Sequence, residues 1–158
     1  MYEGLNIKAP FFELGPKAYL YGAQAFELAR RADEISLKYD VRIIFTPQYS
    51  DIYPIAKATQ NLLVFAQHMD SLKVGRGIGS VLPEAIKSAG AKGVLLNHVE
   101  KRLNLPQIKK TIERADEVGL VSMVCADTPE DAEVIAKLRP NIVLAESPAL
   151  IGVGQRSS

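Results

Sequence analysis

The 158-residue sequence contains one cysteine, Cys125, so no internal disulfide can form, and its place in an apolar run marks it as an inert core residue. Surplus charge is scarce too. Nineteen Lys and Arg face 18 Asp and Glu, a net charge of +1 without a basic block. Nucleic acid or a membrane surface as partner therefore has no electrostatic support. The longest apolar runs are strand-length, well short of a bilayer span. Glu3 and Lys8 interrupt the opening residues, so no signal-peptide pattern is present and a cytoplasmic protein is expected. There are only two histidines, His68 and His98, and no cysteine or acid cluster has ligand spacing. No zinc site is expected.

What is present is an ordinary globular composition, 47% hydrophobic and 23% charged, in one expected domain spanning 1–158. Strand and helix signals alternate. Strands are expected at Gly4–Lys8, Val41–Thr46, Leu62–Gln67, Gly93–Asn97, Leu120–Ala126 and Ile142–Ala145. Helices are expected at Tyr19–Lys38, Ile52–Ala58, Pro83–Ala89, Leu105–Val118 and Pro129–Leu138. Pro106 suits a first helical turn and Gly119 a C-terminal cap; Asp127 or Thr128 can cap the helix that follows. The segment Ala9–Pro16, which holds Phe11 and Phe12, reads as an apolar loop.

Near-continuous apolar strands alternating with helices mark an α/β fold with a parallel sheet covered by helices. Two architectures fit: a doubly wound open sheet, and part of a (β/α)8 barrel. Small doubly wound domains usually hold phosphate in the loop after the first strand, and here that loop offers Phe11–Phe12 rather than a glycine-rich cradle.

Three expected strand ends carry chemistry: Lys8, His98 and Glu146. With strand period two, Glu146 shares a face with Ile142 and Leu144, an ionisable group at the lip of an apolar row. In a parallel barrel all C-terminal strand ends open on one face, so the three would converge. An amine, an imidazole and a carboxylate suit proton abstraction beside a carbonyl. Taken singly, each also has an ordinary structural reading, as a solvated lysine, a hydrogen-bonded histidine and a capping acid. His68 has no partner logic and reads as structural. Gly75–Gly79 lacks the lysine and hydroxyl residue of a P-loop and reads as a structural loop at a subunit contact. Ser147 beside Glu146 does not form a nucleophile elbow.

Several stretches resemble the triosephosphate isomerase family, in its compact archaeal form. They are NIK at Asn6–Lys8, FTPQYSDI at Phe45–Ile52, AQHMD at Ala66–Asp70, LPEAIKSAGAKGVLLNHVEKR at Leu82–Arg102 and AESPALIGVG at Ala145–Gly154. The resemblance implies a (β/α)8 barrel, here incomplete with about six strands. It also implies an aldose–ketose isomerase that works without cofactor or metal through an enediolate, in glycolysis and gluconeogenesis. By the same resemblance Glu146 is the base, His98 the electrophile and Lys8 the electrostatic helper. Asn6 orders the substrate site, Glu100 supports the lysine, and the amide near Gly152 holds the phosphate. A homo-oligomer, dimer or tetramer, through the Gly75–Ser80 loop is implied as well.

The chain departs from the family pattern at Val99, Ser147, Val153 and Ile78, where serine, proline, threonine and threonine are usual. A complete barrel has eight βα units in about 250 residues, so the seventh and eighth are expected to be absent and the chain to be a fragment. The expected substrate is glyceraldehyde 3-phosphate with dihydroxyacetone phosphate, or a close analogue such as a four-carbon ketose phosphate. Two alternatives stand beside this. One is a non-catalytic scaffold that associates with itself or with a completing segment. The other is a different phosphate-binding barrel enzyme with Lys8 as Schiff-base nucleophile.

Overall fold

The computed structural model describes residue 2 and residues 4–146. In chain order the elements are β1 (Phe11–Leu14), α1 (Gly22–Tyr39), β2 (Arg42–Phe45), α2 (Tyr49–Ala58), β3 (Leu62–Ala66), α3 (Pro83–Ser88), β4 (Gly93–Leu96), α4 (Leu105–Val118), β5 (Val121–Ala126), α5 (Pro129–Ala136) and β6 (Ile142–Ala145). Among the described residues, six strands pair in the order β1-β2-β3-β4-β5-β6, every pair parallel. This is a half-barrel of βα units, the incomplete (β/α)8 architecture, and not a doubly wound sheet, in which the strand order would reverse.

Local chemistry explains the helices. Ala25, Ala29, Ala32 and Ser36 form the buried stripe of α1, small residues that let the helix approach the sheet closely. In α4, Asn104 Oδ1 accepts from the Gln107 amide and Gln107 Oε1 accepts from the Asn104 amide, both at 2.9 Å, a reciprocal capping box. Gly119, at φ 72°, closes that helix in the left-handed region. Thr128, not Asp127, caps α5 by accepting from the Asp131 amide at 3.1 Å.

Strand alternation divides the apolar residues between two cores. Between sheet and helices lie Phe45, Val64, Val94, Leu96 and Val124, packed on Ile52, Ile55, Ile108 and Ile112. On the other face lie Ile44, Phe65, Leu95, Val121, Met123 and Cys125, joined by Phe11, Ile142 and Leu144.

The first strand differs from expectation. Gly4–Lys8 is not in the sheet; Phe11–Leu14 is, paired from Phe11↔Arg42 to Leu14↔Phe45. Alternation of Leu5 and Ile7 resembles a strand, but a strand needs a ladder partner, and FFEL occupies the edge of β2. Leu5 and Ile7 instead pack beside Phe11 on the second core. The Tyr2 amide donates to Asp116 Oδ1 at 2.7 Å, and Asn141 Nδ2 donates to the Tyr2 carbonyl at 2.7 Å. Asn141 directly precedes β6, so the opening segment runs along the N-terminal end of the sheet, and Lys8 and Asn6 are not at a C-terminal strand end. Helix α1 begins at Gly22 rather than Tyr19, after a turn closed by the Tyr19 amide on the Pro16 carbonyl.

Asp33 ties α1 to the α2–β3 connection. Its Oδ1 accepts from the amides of Gln60 (3.1 Å), Asn61 (2.6 Å) and Leu62 (3.0 Å). Removing a charged acceptor that serves several amides costs about 1.5–3 kcal/mol. Asp33→Ala is expected to lower the unfolding free energy by about that much, read as a lower urea midpoint at unchanged slope.

Candidate active site

Because every strand runs the same way, the loops after the strands gather at one end of the sheet. They enclose a cavity of about 690 Å³ lined by Glu13, Lys17, Gln48, Gln67, His98, Glu100 and Glu146 among others. Of the residues expected to act together, His98, Glu100 and Glu146 are there. Asn6 and Lys8 are not among the lining residues; both are exposed at the opposite end of the sheet. Two lysines line the cavity, Lys17, three residues beyond β1, and Lys101; of these Lys17 is the one paired with Glu100. Gly152, together with Ser147 and Val153, lies outside the described residues.

Lys17 is held by its backbone. Gln48 Nε2 and Gln67 Nε2 both donate to its carbonyl, at 2.7 and 3.0 Å, and Gln67 Nε2 also donates to the Thr46 carbonyl at 3.0 Å. Lys17 has φ 51°, a left-handed conformation costly for a residue with a side chain, kept because its surroundings over-determine it. Its Nζ donates to Glu100 Oε1 at 3.3 Å. Glu100 was expected to support Lys8; the lysine that it meets in the structure is Lys17. Nothing in periodicity points to Lys17. The signal available was the strand preference of the aromatic pair Phe11–Phe12, which moves the first strand end from Lys8 to Leu14, six residues on.

His98 follows β4 through Asn97, which is buried and has φ 57°, a conformation asparagine tolerates better than most residues. Asn97 Nδ2 donates to the Cys125 carbonyl at 3.0 Å and its Oδ1 accepts from the Leu103 amide at 2.9 Å, so the loop is pinned on both sides. The Glu100 amide donates to His98 Nδ1 at 3.1 Å. Nδ1 is therefore an acceptor, and the neutral ring carries its proton on Nε2. Burial and the positive charge of Lys17 push the His98 pKa below its ordinary value, outweighing the opposing charges of Glu100 and Glu146. The side chain can offer a neutral N–H donor to the cavity.

Glu146 directly follows β6, its amide donating to the Ala126 carbonyl at 3.0 Å. Leu144, two residues earlier, lines the same cavity, as strand alternation requires. Arg102 and Asp127 pair across the neighbouring loops. Cys125 is buried on the inner face; burial first, then the charges of Glu146 and Glu13, push its thiol up to about 12, so it stays protonated and unreactive. His68 also lines the cavity but is buried, its Nε2 3.4 Å from Asp70 Oδ1. In the glycine-rich loop, residues 73–80 are exposed, Ile78 completely.

A model of the family described as "Triosephosphate isomerase" matches residues 16–154, which takes in Lys17 and leaves out Asn6 and Lys8. The triosephosphate isomerase of Sulfurisphaera tokodaii is 40% identical over 154 residues, covering 96% of this chain and 67% of that protein. That of Methanobacterium bryantii is 41% identical over 149 residues, covering 93% and 66%. The chain thus spans about two thirds of the length of these relatives. In fold, it is similar to the crystal structure of triosephosphate isomerase from Bartonella henselae, with a TM-score of 0.67 at 14% identity, covering 84% of this chain and 60% of that one.

The His98 environment has a direct readout. Nitrogen-detected NMR should find His98 titrating below the ordinary value of 6.5, and at neutral pH as the tautomer protonated at Nε2. A proton on Nδ1, or a pKa above 6.5, would contradict the hydrogen bond from Glu100.

Proposed function

The chain belongs to the triosephosphate isomerase family, and from that premise we propose that its cavity is the catalytic half of an aldose–ketose isomerase for a small phosphorylated sugar. The reaction is the interconversion of glyceraldehyde 3-phosphate and dihydroxyacetone phosphate or a close analogue. The observation that carries the reading is the convergence of a carboxylate, an imidazole and an ammonium group on one cavity from β6, β4 and β1.

In this reading Glu146 is the base. It takes the proton from the carbon beside the carbonyl and returns it to the adjacent carbon, so the net change is a hydrogen shift with no redox partner. His98 donates from Nε2 to the substrate oxygens as negative charge builds up in the enediolate, and moves protons between them. A neutral donor suits this role because it can be regenerated within the cycle. Lys17 supplies the positive charge that stabilises the enediolate, and Glu100 fixes the direction of its ammonium group. Lys17 thereby takes the role expected of Lys8. Gly152 remains our candidate for holding the phosphate.

Two finer points belong to the same proposal. The exposed Gly75–Ser80 loop, with Ile78 projecting, is the surface we assign to self-association. The cytoplasm is the expected compartment, since this sugar-phosphate step belongs to glycolysis and gluconeogenesis.

The test is isomerisation of glyceraldehyde 3-phosphate by the purified chain in a coupled assay. Glu146→Gln is expected to reduce turnover by about 10²–10⁴-fold, the usual loss of a general base. Lys17→Ala is expected to reduce it by about 10²–10³-fold, the usual loss of one stabiliser of developing negative charge. Lys8→Ala and Asn6→Ala should leave it within about twofold, as exposed residues remote from the cavity. Equal loss from Lys8→Ala and Lys17→Ala would overturn the assignment of the lysine.

A further inference from the structure

Glu13 is an acid among apolar neighbours. In β1 it shares the alternation face of Phe11, which packs with Ile44, Leu95 and Cys125 on the inner core. Its Oε1 accepts from Thr46 Oγ1 at 2.7 Å, and its carboxyl lines the cavity with Lys17, His98 and Glu146. Room for this pair depends on Gly15. A Cβ at that position would lie 2.7 Å from Glu13 Oε1 and 2.9 Å from Thr46 Oγ1, so any side chain there would displace the carboxyl. Burial, and secondarily the charge of Glu146, raise the Glu13 pKa, against the Thr46 bond and Lys17. Thr46 occupies one position of this half-buried carboxyl, which keeps further hydrogen-bonding capacity for a ligand in the cavity that it lines.

Counting substrate oxygens gives that ligand its chemistry. In a three-carbon sugar phosphate, the two oxygens of the reacting carbons are served by His98 and Lys17 under the function proposed above, on which this inference rests. The remaining oxygens belong to the phosphate, whose charge repels an acid. Such a substrate leaves Glu13 with nothing to bind. A sugar phosphate with one more hydroxyl-bearing carbon supplies a neutral hydroxyl that can both donate to and accept from a carboxyl. We propose that Glu13, seated on Thr46 in the space left by Gly15, is a specificity-determining residue that binds a hydroxyl beyond the reacting pair and selects sugar phosphates of four or more carbons.

The probes are two unreactive polyol phosphates, erythritol 4-phosphate and glycerol 3-phosphate. Their binding to the purified chain is measured by calorimetry, independent of turnover. Wild type is expected to bind the four-carbon compound about 10-fold or more tightly than the three-carbon one. Glu13→Ala should abolish that preference while changing glycerol 3-phosphate affinity less than threefold, and Glu13→Gln, which keeps a donor and an acceptor, should retain part of it. Equal weakening of both ligands in Glu13→Ala would make Glu13 a purely structural residue and overturn the proposal. So would equal affinities in wild type, or binding of neither compound. Preserved discrimination with no isomerisation of any three- or four-carbon aldose phosphate would leave the role of Glu13 standing and overturn the isomerase reading instead.

Discussion

Parallel pairing between strands that are consecutive in sequence is the constraint on which the molecule depends. Each strand of such a sheet must be followed by a return segment, and every return starts at the same end. Groups more than a hundred residues apart, such as Lys17 and Glu146, then line one cavity although β1 and β6 are not paired in the sheet. The same pairing fixes the two faces of the sheet. Residues such as Phe45 and Val64 meet the helices, while Ile44 and Phe65 turn inward beneath the cavity.

On that frame the site is built by pinning backbone rather than by crowding side chains. Two glutamine amides hold the carbonyl of Lys17, and two hydrogen bonds of Asn97 hold the turn before His98. Both pinned residues have positive φ, so part of the folding energy is stored as local conformation where the chemistry is placed. Electrostatics then divide the labour. Burial and, after it, the charge of Lys17 lower the His98 pKa; the Glu100 amide sets its tautomer; Glu100's carboxylate faces the ammonium group. A cation, a neutral donor and a carboxylate side by side are the components that an enediolate intermediate requires.

Much of this was legible in the sequence, and the exception is instructive. The strands from β2 to β6 are apolar runs bounded by prolines, glycines or polar residues, and all five lie within one or two residues of expectation. Pro106, Gly119 and Thr128 announced helix ends by chemistry that needs no tertiary context. Glu146 and His98 were visible because each extends the alternation of a clear strand. Lys17 was hidden because Leu5 and Ile7 mimic strand alternation, while FFEL, set between Pro10 and Pro16, reads as a loop. Which of two short segments takes the edge of β2 is decided by the ladder, a tertiary interaction that composition does not encode. Glu13 was invisible for the same reason: inside a supposed loop an acid has no special meaning.

The central claim is that Lys17, His98 and Glu146 form a single substrate site from which Lys8 is absent. The most direct measurement is an NMR titration of the isotope-labelled chain with a phosphorylated hydroxamate, a planar mimic of an enediolate, following the lysine ammonium and histidine ring resonances. The account predicts saturable shifts of Lys17 Nζ and His98 Nε2 with a common dissociation constant, lost together in Glu146→Ala, while Lys8 does not move. Shifts at Lys8, or different constants at Lys17 and His98, would contradict it.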